Sequence, residues 1–336
     1  MPGATQPLDR LGRPLHDLRV SVIETCNFRC PYCMPDGLTP EESTLDRARR
    51  LDFDEIETAV RAFARLGVSK LRLTGGEPLL RKGLPLLVRR LAAIPGIDDL
   101  ALTTNGSLLA GQAQALREAG LHRLTISLDS LDPAQFRALS GGRGDLADVM
   151  AGIAAAEAAG FASLKINCVV QRGVNEDQAL ALVERFRGTP HVPRFIEYMD
   201  VGNCNGWRRE GVVPSAELRD RISARWPLRP LVPTYRGEVA ARYGHADGAG
   251  EVGFVSSVSA PFCGDCHRAR LSADGQVYTC LFAARGQPLR AQIAQGELAL
   301  AGHLAQLWRQ RGDRYSEQRA ETSPDRRKIE MFYIGG

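Results

Sequence analysis

Short apolar runs alternate with longer amphipathic segments over the first two thirds of the chain. Runs with the composition of β-strands stand at residues 18–25, 70–74, 100–103, 123–128, 164–170 and 194–199. Segments of helical periodicity fill the intervals between them. Strands that alternate with helices are typical of repeated βα units, so the pattern predicts six such units around a parallel sheet.

The first interval illustrates how a helix is predicted. Asp54 is the expected N-cap, and Gly67 stands where the helix is expected to end. The apolar positions that share one face are Ile56, Ala59, Val60, Phe63 and Leu66. Six units of this kind favour an α/β fold with an incomplete (β/α)6 barrel of the TIM type over a flat, doubly wound sheet.

The chain changes character after residue 226. Residues 227–262 contain four prolines and five glycines, which predicts loops and short strands instead of another βα unit. We therefore divide the chain into a partial barrel at residues 1–226 and an α+β region at residues 227–336 that closes it. The closing region is expected to carry its own chemistry, because three cysteines lie within it.

One further helix is predicted at residues 298–311. Leu298, Leu307 and either His303 or Leu304 fall near one face of it, and His303 is expected to pack instead of binding a ligand. The tail from Gly312 is rich in charge, and a frayed terminus is the default expectation there.

Charged residues appear on the inward phase of the predicted strands. Successive side chains of a strand point to opposite faces. The apolar set is expected to pack on the helices, so the alternate set must point inward. Arg19, Arg72 and Lys165 then face the lumen, and Cys168 faces the helices as a core thiol. The other polar side chains on the inward phase are Ser21, Thr74, Thr103, Thr125, Ser127 and Asn167. A buried cation needs a partner, so a polyanionic ligand is one expectation.

Two other interpretations of these cations stay open. Glu24, Asp129 or Glu197 would neutralise them internally, since buried charges are usually paired. Alternatively, the cations would lie at strand ends that are exposed to solvent. Either arrangement would remove the need for an anionic ligand.

Six of the eight cysteines form two groups at opposite ends of the chain. The first group is Cys26, Cys30 and Cys33, spaced C-x-x-x-C-x-x-C, and the second is Cys263, Cys266 and Cys280, spaced C-x-x-C-x13-C. Iron–sulfur cubes are usually held by four cysteines, so a group of three leaves one iron open to a small molecule. Two such sites suggest an enzyme.

Disulfide bonds and structural zinc are alternative uses for the cysteines. Disulfides fit a small secreted domain, whereas the opening MPGATQPLDRLGRPLHD lacks the apolar run of a secretory signal. Structural zinc is a stronger rival for the second group, and His267 or Cys204 would complete a tetrahedral site. The first group fits zinc less well, because three ligands come from one eight-residue loop.

Composition and charge narrow the class of partner. The 336 residues are 44% hydrophobic and 24% charged, as in ordinary globular proteins, and the net charge is only +4. This surplus does not argue for nucleic acid or an anionic membrane. No apolar stretch approaches the roughly 20 residues that span a bilayer. We therefore expect a cytoplasmic protein with a small-molecule partner.

A glycine-rich turn follows the second predicted strand. Gly75, Gly76, Glu77 and Pro78 form it, and the glycines would let the backbone approach a ligand closely. Taken alone, the turn is more often a simple strand-to-helix connection. In a barrel, however, it would share the carboxyl-terminal rim of the strands with the first cysteine group.

These motifs together resemble a known family. The stretch CNFRCPYCMP, with Tyr32 before the third cysteine, and the following GGEP resemble the radical S-adenosylmethionine (SAM) superfamily. The segments LTGGEPLLR, TTNG, SLDS and FIEYMD, the second cysteine group with its R-x-R and the final two glycines resemble the GTP 3′,8-cyclases of molybdenum cofactor biosynthesis. The resemblance runs from about Leu8 to the last residue.

The resemblance implies a set of ligands and contacts. Each cysteine group would hold a [4Fe-4S] cluster, the first chelating SAM and the second meeting the guanine ring of GTP. The implied SAM contacts are Tyr32, Gly76, Ser127 and Met199. The implied GTP contacts are Arg19, Arg72, Thr103, Lys165, Arg268, Ala269 and Arg270. Gly335 and Gly336 would reach into the active site.

The resemblance also implies a reaction and its partners. SAM cleavage would yield a 5′-deoxyadenosyl radical that takes the hydrogen from C3′ of GTP. Ring closure onto C8 would then give (8S)-3′,8-cyclo-7,8-dihydroguanosine 5′-triphosphate. The expected partners are an external electron donor of the flavodoxin or ferredoxin type, a downstream cyclic pyranopterin monophosphate synthase and a second copy of the chain.

Two rival functions remain at this point. Another radical SAM enzyme with an auxiliary cluster, acting on a peptide or protein, would share the first motif and the barrel. A non-catalytic metal protein or electron carrier would share only the cysteines. Cleavage of SAM separates either enzyme from the carrier, and dependence on GTP separates the two enzymes.

Overall fold

The fold is built on one mixed β-sheet, seen in a computed structural model that describes residues 6–34, 49–319 and 328–335. Within these residues the strands, in chain order, are β1 Asp17–Ser21, β2 Lys70–Thr74, β3 Asp99–Thr104, β4 Arg123–Ser127, β5 Leu164–Val170, β6 Val192–Glu197, β7 Leu228–Pro230, β8 Ala241–His245, β9 Glu251–Val255, β10 Arg268–Leu271, β11 Gln276–Tyr278 and β12 Gln287–Pro288. Their spatial order is β12-β11-β10-β1-β2-β3-β4-β5-β6-β9-β8-β7.

The centre of the sheet is parallel and follows the chain order from β1 to β6. Strand β10 joins the free edge of β1 in parallel, and β9 joins the free edge of β6 in parallel. Antiparallel hairpins then continue the sheet at both ends. The predicted partial barrel is confirmed, and the C-terminal region extends both of its edges without closing the sheet into a complete barrel.

Helices cover the outer face of the parallel strands. In the described residues they are α1 Phe53–Arg65, α2 Leu84–Ala92, α3 Ala113–Glu118, α4 Pro133–Leu139, α5 Leu146–Ala158, α6 Gln178–Phe186, α7 Ser215–Arg225, α8 Arg290–Ala294, α9 Glu297–Arg309 and α10 Met331–Ile334. Short 3-10 turns occur at Pro78–Leu80, Arg209–Gly211 and Cys263–Asp265. None of the helices in this part of the chain is both long and apolar enough to span a bilayer.

The core lies between the sheet and the helices, as the strand phases predict. Leu18, Val20, Leu71 and Leu73 are fully buried on the helix-facing side. Cys168 belongs to the same core, so its predicted role as a core thiol is confirmed. The alternate side chains of these strands point to the other face of the sheet, where polar groups line the lumen.

Two details of the predicted helices are wrong. Helix α1 is capped by Asp52 and not by Asp54, because Asp52 accepts the N–H of Glu55 at 2.8 Å while the Glu55 carboxylate accepts the N–H of Asp52 at 2.9 Å. In α9 the buried face contains Leu300, Leu304 and Trp308, whereas Leu298 is 71% exposed. The predicted end of α1 at Gly67 is confirmed, since this glycine has φ +93° just after the C-cap.

Two glycines inside helices give opposite predictions. An added Cβ at Gly302 in α9 meets no atom within 4 Å, whereas at Gly152 in α5 it would lie 2.4 Å from the carbonyl oxygen of Gly106. We expect Gly302→Ala to raise the free energy of unfolding by about 0.5–1 kcal/mol, because alanine loses less backbone entropy in a helix. Gly152→Ala should lower it by a larger amount. Urea unfolding checks both, and a stabilised Gly152→Ala would contradict the packing of α5 on Gly106.

Candidate active site

The first cysteine group lies on the loop after β1, at the carboxyl-terminal end of the parallel strands. The N–H groups of Cys33 and Met34 both donate to the carbonyl oxygen of Cys30 at 2.9 Å, which winds residues 30–34 into a tight turn. Burial raises the pKa of the Cys26 thiol to about 11, and it raises the pKa values of Cys30 and Cys33 as well. Such thiols release their protons most readily to a bound metal.

The GGEP turn supports this loop from behind. The N–H groups of Gly76 and Glu77 donate to the carbonyl oxygens of Ile23 and Thr25 at 2.7 and 2.8 Å. A Cβ at Gly76 would lie 2.2 Å from the Thr25 oxygen, so only glycine fits. The close approach that the sequence predicts is therefore made to the chain's own backbone, just before Cys26.

Glu77 connects the same turn to the TTNG segment at the end of β3. Its carboxylate accepts the Thr104 hydroxyl at 2.7 Å and the Asn105 N–H at 2.8 Å. Asn105 in turn donates its side-chain amide to Asn27 beside the first cysteine. Burial raises the pKa of Glu77 to about 7, although these hydrogen bonds oppose the shift. The three motifs form one hydrogen-bonded support for the cysteine loop.

The SLDS segment contacts the loop from the other side. Tyr32 donates its hydroxyl to Asp129 at 2.6 Å, and Asp129 also accepts the N–H of Val169 at 2.8 Å. Burial raises the pKa of Asp129 to about 6. Ser127 pairs with Asn167 across β4 and β5, and Met199 follows β6. The four predicted SAM contacts thus lie at or beyond the carboxyl ends of β1, β2, β4 and β6.

A cavity of about 390 Å³ occupies the lumen of the partial barrel. All three predicted lumen cations line it, and so do Thr103, Met199 and the second cysteine group. The described cationic side chains in its lining are Arg19, Lys70, Arg72, Arg123, Lys165, Arg194, Arg242, Arg268 and Arg270. The strand phases therefore predicted the direction of Arg19, Arg72 and Lys165 correctly.

The three carboxylates proposed to neutralise these cations are engaged elsewhere. Glu24 is ion-paired with Arg50. The hydrogen-bond donors to the other two are Tyr32 and Val169 for Asp129, and Ser215, Val258 and Ser259 for Glu197. The expectation of internal neutralisation by these groups is wrong. Across the described ranges no carboxylate lies within ion-pairing distance of Arg19, Arg72 or Lys165.

The pKa values of Arg19 and Lys165 reflect their burial and the repulsion between neighbouring cations. Burial, reinforced by the charges of nearby guanidinium groups, lowers the pKa of Lys165 to about 7. Burial followed by the charge of Arg270 lowers the pKa of Arg19 well below its usual value. Arg72 finds only neutral partners, the hydroxyls of Thr103 and Thr125, each at 2.9 Å. The described lining also contains four carboxylates, but the nine cations outnumber them, so the cavity is a site of positive potential; the carboxylates are Asp17, Asp99, Glu238 and Glu251.

Arg194 is a cavity cation that the sequence analysis missed. It lies on β6, burial lowers its pKa to about 10, and its Nε has no hydrogen-bond partner among the described residues. The signal was present, because buried Phe195 on the helix-facing phase turns Arg194 inward. Lys70 was also missed, and its ammonium lies 3.1 Å from the centre of the Tyr235 ring.

Strand β10 brings Arg268 and Arg270 into the same cavity. Their alternate spacing predicts one face for both, and the structure places both side chains in the cavity lining. They are nearly buried, so they do not form a solvated basic edge. Ala269 between them points into the hydrophobic core, so only its backbone faces the strand's neighbours.

The second cysteine group borders the cavity at this point. Burial alone would raise the pKa of Cys266, but the charges of Arg268 and Arg311 outweigh it and lower that pKa to about 6. Arg268 donates to the Cys266 sulfur at 3.2 Å. Three soft thiol donors with cationic support fit an iron–sulfur cluster of three-cysteine ligation.

The residues that would complete a zinc site lie elsewhere. The Nδ1 of His267 is 3.7 Å from Asp17, and its ring packs against His16. Cys204 lies beside the first group, with its sulfur 4.0 Å from the Cys33 carbonyl oxygen and 3.0 Å from Glu330. In the part of the chain that the structure describes, no three histidine, cysteine or acidic side chains converge to bind a single metal ion. The zinc interpretation of the second group is therefore not favoured.

The C-terminal tail approaches the same region. Met331 in α10 lines the cavity, and Gly335 is buried against Thr74 at the end of β2. Gly335 has φ +71°, and a Cβ there would lie 2.1 Å from the Thr74 methyl carbon. Gly336 lies outside the described residues. The tail is folded against the barrel here, so the frayed-end expectation does not hold for residues 328–335.

Comparisons with known proteins identify the family. Residues 20–186 match the model of the Radical SAM superfamily, and residues 192–317 match the Molybdenum Cofactor Synthesis C family. The crystal structure of Streptococcus suis SuiB bound to precursor peptide SuiA has a similar fold, with a TM-score of 0.64 and 14% identity over 95% of this chain and 76% of that chain. At that identity the likeness shows the fold alone.

Relatives of known name are much closer in sequence. A protein of Xanthomonas campestris pv. campestris (strain 8004), named GTP 3′,8-cyclase, is 68% identical over 328 residues, which is 98% of this chain and 97% of that protein. One of Acidothermus cellulolyticus (strain ATCC 43068 / DSM 8971 / 11B), with the same name, is 50% identical over 99% of this chain and all of that protein. The chain belongs to the family of the GTP 3′,8-cyclases, within the radical SAM superfamily.

Proposed function

We propose that the protein is a GTP 3′,8-cyclase, which converts GTP to (8S)-3′,8-cyclo-7,8-dihydroguanosine 5′-triphosphate as the first step of molybdenum cofactor biosynthesis. The observation that carries this proposal is the cavity whose buried cations lack carboxylate partners and whose edge is the second cysteine group. A triphosphate is a polyanion that supplies the missing counter-charge. Neither a peptide substrate nor an electron carrier requires such a cavity.

The enzyme uses two [4Fe-4S] clusters and SAM. We assign the first cluster to Cys26, Cys30 and Cys33 and the second to Cys263, Cys266 and Cys280. SAM would contact Tyr32, Gly76, Ser127 and Met199, and GTP would contact Arg19, Arg72, Thr103, Lys165, Arg268, Arg270 and the backbone of Ala269. Arg194 adds a further phosphate contact on β6, because its guanidinium lines the same cavity.

The chain's own residues position and shield the reactants. A cluster held by Cys26, Cys30 and Cys33 would supply the electron for reductive cleavage of SAM, and with it the radical chemistry that acts at C3′ of the ribose. The cavity cations fix the triphosphate, which holds the ribose at one place in the lumen. Such positioning is worth roughly 7–11 kcal/mol of the barrier at best. The walls of the partial barrel keep water from the reacting carbon.

Further partners complete the proposal. An electron donor of the flavodoxin or ferredoxin type reduces the first cluster, a cyclic pyranopterin monophosphate synthase consumes the product, and the chain acts as a homodimer in the cytoplasm. The functional division at residues 226 and 227 stays a prediction. It is supported by the change from βα units to short antiparallel strands after α7.

Formation of 5′-deoxyadenosine tests the proposed reaction directly. Protein reconstituted anaerobically with iron and sulfide is given SAM and dithionite, with GTP, with ATP or without nucleotide. We expect GTP alone to raise the yield, and mass spectrometry to find an isomer of GTP. If GTP changes nothing, the substrate assignment is wrong. If no 5′-deoxyadenosine forms, the assignment as a radical SAM enzyme is wrong.

Lys165 predicts a pH dependence of GTP binding. Its pKa is about 7 in the free protein, so the ammonium loses its proton as the pH rises above 7. A bound triphosphate favours the charged form, so binding above pH 7 takes up a proton and the affinity falls by up to about tenfold per pH unit. Calorimetric titration without SAM, in buffers of different ionisation enthalpy, measures both quantities.

Lys165→Arg is the matched control for this titration. Arginine keeps its charge over the whole range, and the titration of GTP itself is the same in both proteins. The variant should bind GTP with a weaker pH dependence and without the extra proton uptake. Identical profiles for the two proteins would show that Lys165 does not contact the triphosphate.

Gly335 tests whether the tail takes part in the reaction. Alanine at this position would be strained at φ +71° and would collide with Thr74, so the tail should be displaced from the cavity. We expect Gly335→Ala to lower kcat for cyclisation at least tenfold while the iron content and Tm change little. Gly296→Ala, at φ +92° with no atom within 4 Å of its Cβ, is the control for backbone strain alone. Full activity in Gly335→Ala would exclude a role for the seated tail.

A further inference from the structure

Three buried charged side chains adjoin the second cysteine group and are not among the residues that line the cavity. The exposed fractions of the side chains of Asp9, Arg13 and Arg311 are 0%, 2% and 1%. The Asp9 carboxylate accepts Arg13 Nε at 2.6 Å and Arg311 Nη1 at 3.2 Å. Two guanidinium groups thus share one carboxylate in a place without water access.

Arg311 binds Cys266 with both arms of its guanidinium. Nη1 donates to the Cys266 carbonyl oxygen at 2.6 Å, and Nη2 donates to the Cys266 sulfur at 3.2 Å. Because one planar guanidinium donates to both the carbonyl oxygen and the sulfur of the same residue, it fixes the side-chain rotamer of Cys266. Arg13 extends the arrangement by donating to the Cys263 carbonyl oxygen at 2.7 Å.

The surroundings hold Arg311 in this orientation. Its guanidinium stacks over the ring of Trp308 at 4.5 Å, and its Nε lies 3.4 Å from the carboxylate of Asp313. Trp308 is itself fixed, because its indole N–H donates to the carbonyl oxygen of Arg13 at 3.0 Å. The fork is therefore set by packing before any ligand binds.

The first cysteine group has no comparable cationic contact to its sulfurs among the described residues. The Cys26 sulfur accepts only the Phe28 N–H at 3.4 Å and the Asn105 amide at 3.9 Å. The buried carboxylates of Glu77 and Asp129 lie close enough to raise the pKa values of Cys26 and Cys30. Arg29 also lies close to this group, but it donates to the carbonyl oxygens of Cys26 and Phe28 at 2.8 Å and not to a sulfur. The first group therefore lacks the direct bond from a cation to a sulfur that the second group has.

We propose that Arg311 is a positioning residue of the second cluster, which holds the Cys266 ligand and raises the reduction potential of that cluster through its charge and its N–H···S bond. Asp9 limits the effect, because its carboxylate cancels part of the positive charge. Hydrogen bonds to the sulfurs and net charge are established determinants of cluster potentials. The proposal rests on the ligand assignment made under Proposed function.

A redox titration of the intact, reconstituted protein tests it. Dithionite with mediators reduces each [4Fe-4S] cluster by one electron, and electron paramagnetic resonance follows the reduced forms. A variant with Cys26, Cys30 and Cys33 changed to serine identifies which signal belongs to the second cluster. Arg311→Gln should shift the midpoint potential of that signal to more negative values, and Arg311→Lys should keep part of the wild-type value.

Asp9→Asn gives a prediction of opposite sign. Asparagine keeps an acceptor for the backbone N–H groups but removes the shared negative charge, so the potential should shift to more positive values. Arg309→Gln removes an exposed arginine at the end of α9, two residues before Arg311, and should change nothing. General damage to the fold would not move the two buried variants in opposite directions.

Each remaining result also decides the question. An unchanged potential in Arg311→Gln, or shifts of the same sign in Arg311→Gln and Asp9→Asn, would overturn the proposal. If Arg311→Gln does not retain the second cluster, the measurement on Asp9→Asn decides alone. An unchanged midpoint potential in Asp9→Asn would then overturn the proposal. Wild-type protein that binds iron for one cluster only would overturn the ligand assignment as well, whereas two clusters with unaltered potentials would overturn this inference alone.

Discussion

Buried positive charge in excess of the nearby carboxylates is the constraint on which the rest of the site depends. Removing a cation from water is costly, and the cavity places several of them on adjacent strands where they also repel one another. Burial of the apolar face of the same strands against the helices stabilises the fold and offsets the cost of burying these cations. A bound polyanion would relieve the repulsion, so ligand binding and protein stability are linked.

The strand phases explain why part of the site was predictable. Leu18, Val20, Leu71 and Leu73 mark the helix-facing side of β1 and β2, and a period of two then assigns Arg19 and Arg72 to the lumen. In β6 the inward phase holds Val192 and Ile196 as well as Arg194, so the alternation is weak there. The cation on that strand was missed for this reason.

Other features depended on contacts that no local pattern encodes. The bond from Arg311 to Asp9 joins residues 302 positions apart, and that from Arg13 to Cys263 joins residues 250 apart. The sequence also left Cys204 available to the second group, whereas the loop after β6 delivers it to the first. Helix periodicity failed in α9 for a related cause, because tertiary packing on α1 chose the face with Leu300 and Leu304.

The charges of the lumen are arranged along its length, and this arrangement bears on how two different substrates would be kept apart. Glu77 and Asp129 are buried beside the first cysteine group, while the arginines and Lys165 surround the cavity next to the second. Under the proposed function, SAM carries a sulfonium, an ammonium and a carboxylate, and so is cationic overall, whereas GTP carries a triphosphate and is strongly anionic. Each would be attracted to one end and repelled from the other. Exchanging their places would set like charges against each other in a medium of low dielectric, so electrostatics favours the productive order along the barrel.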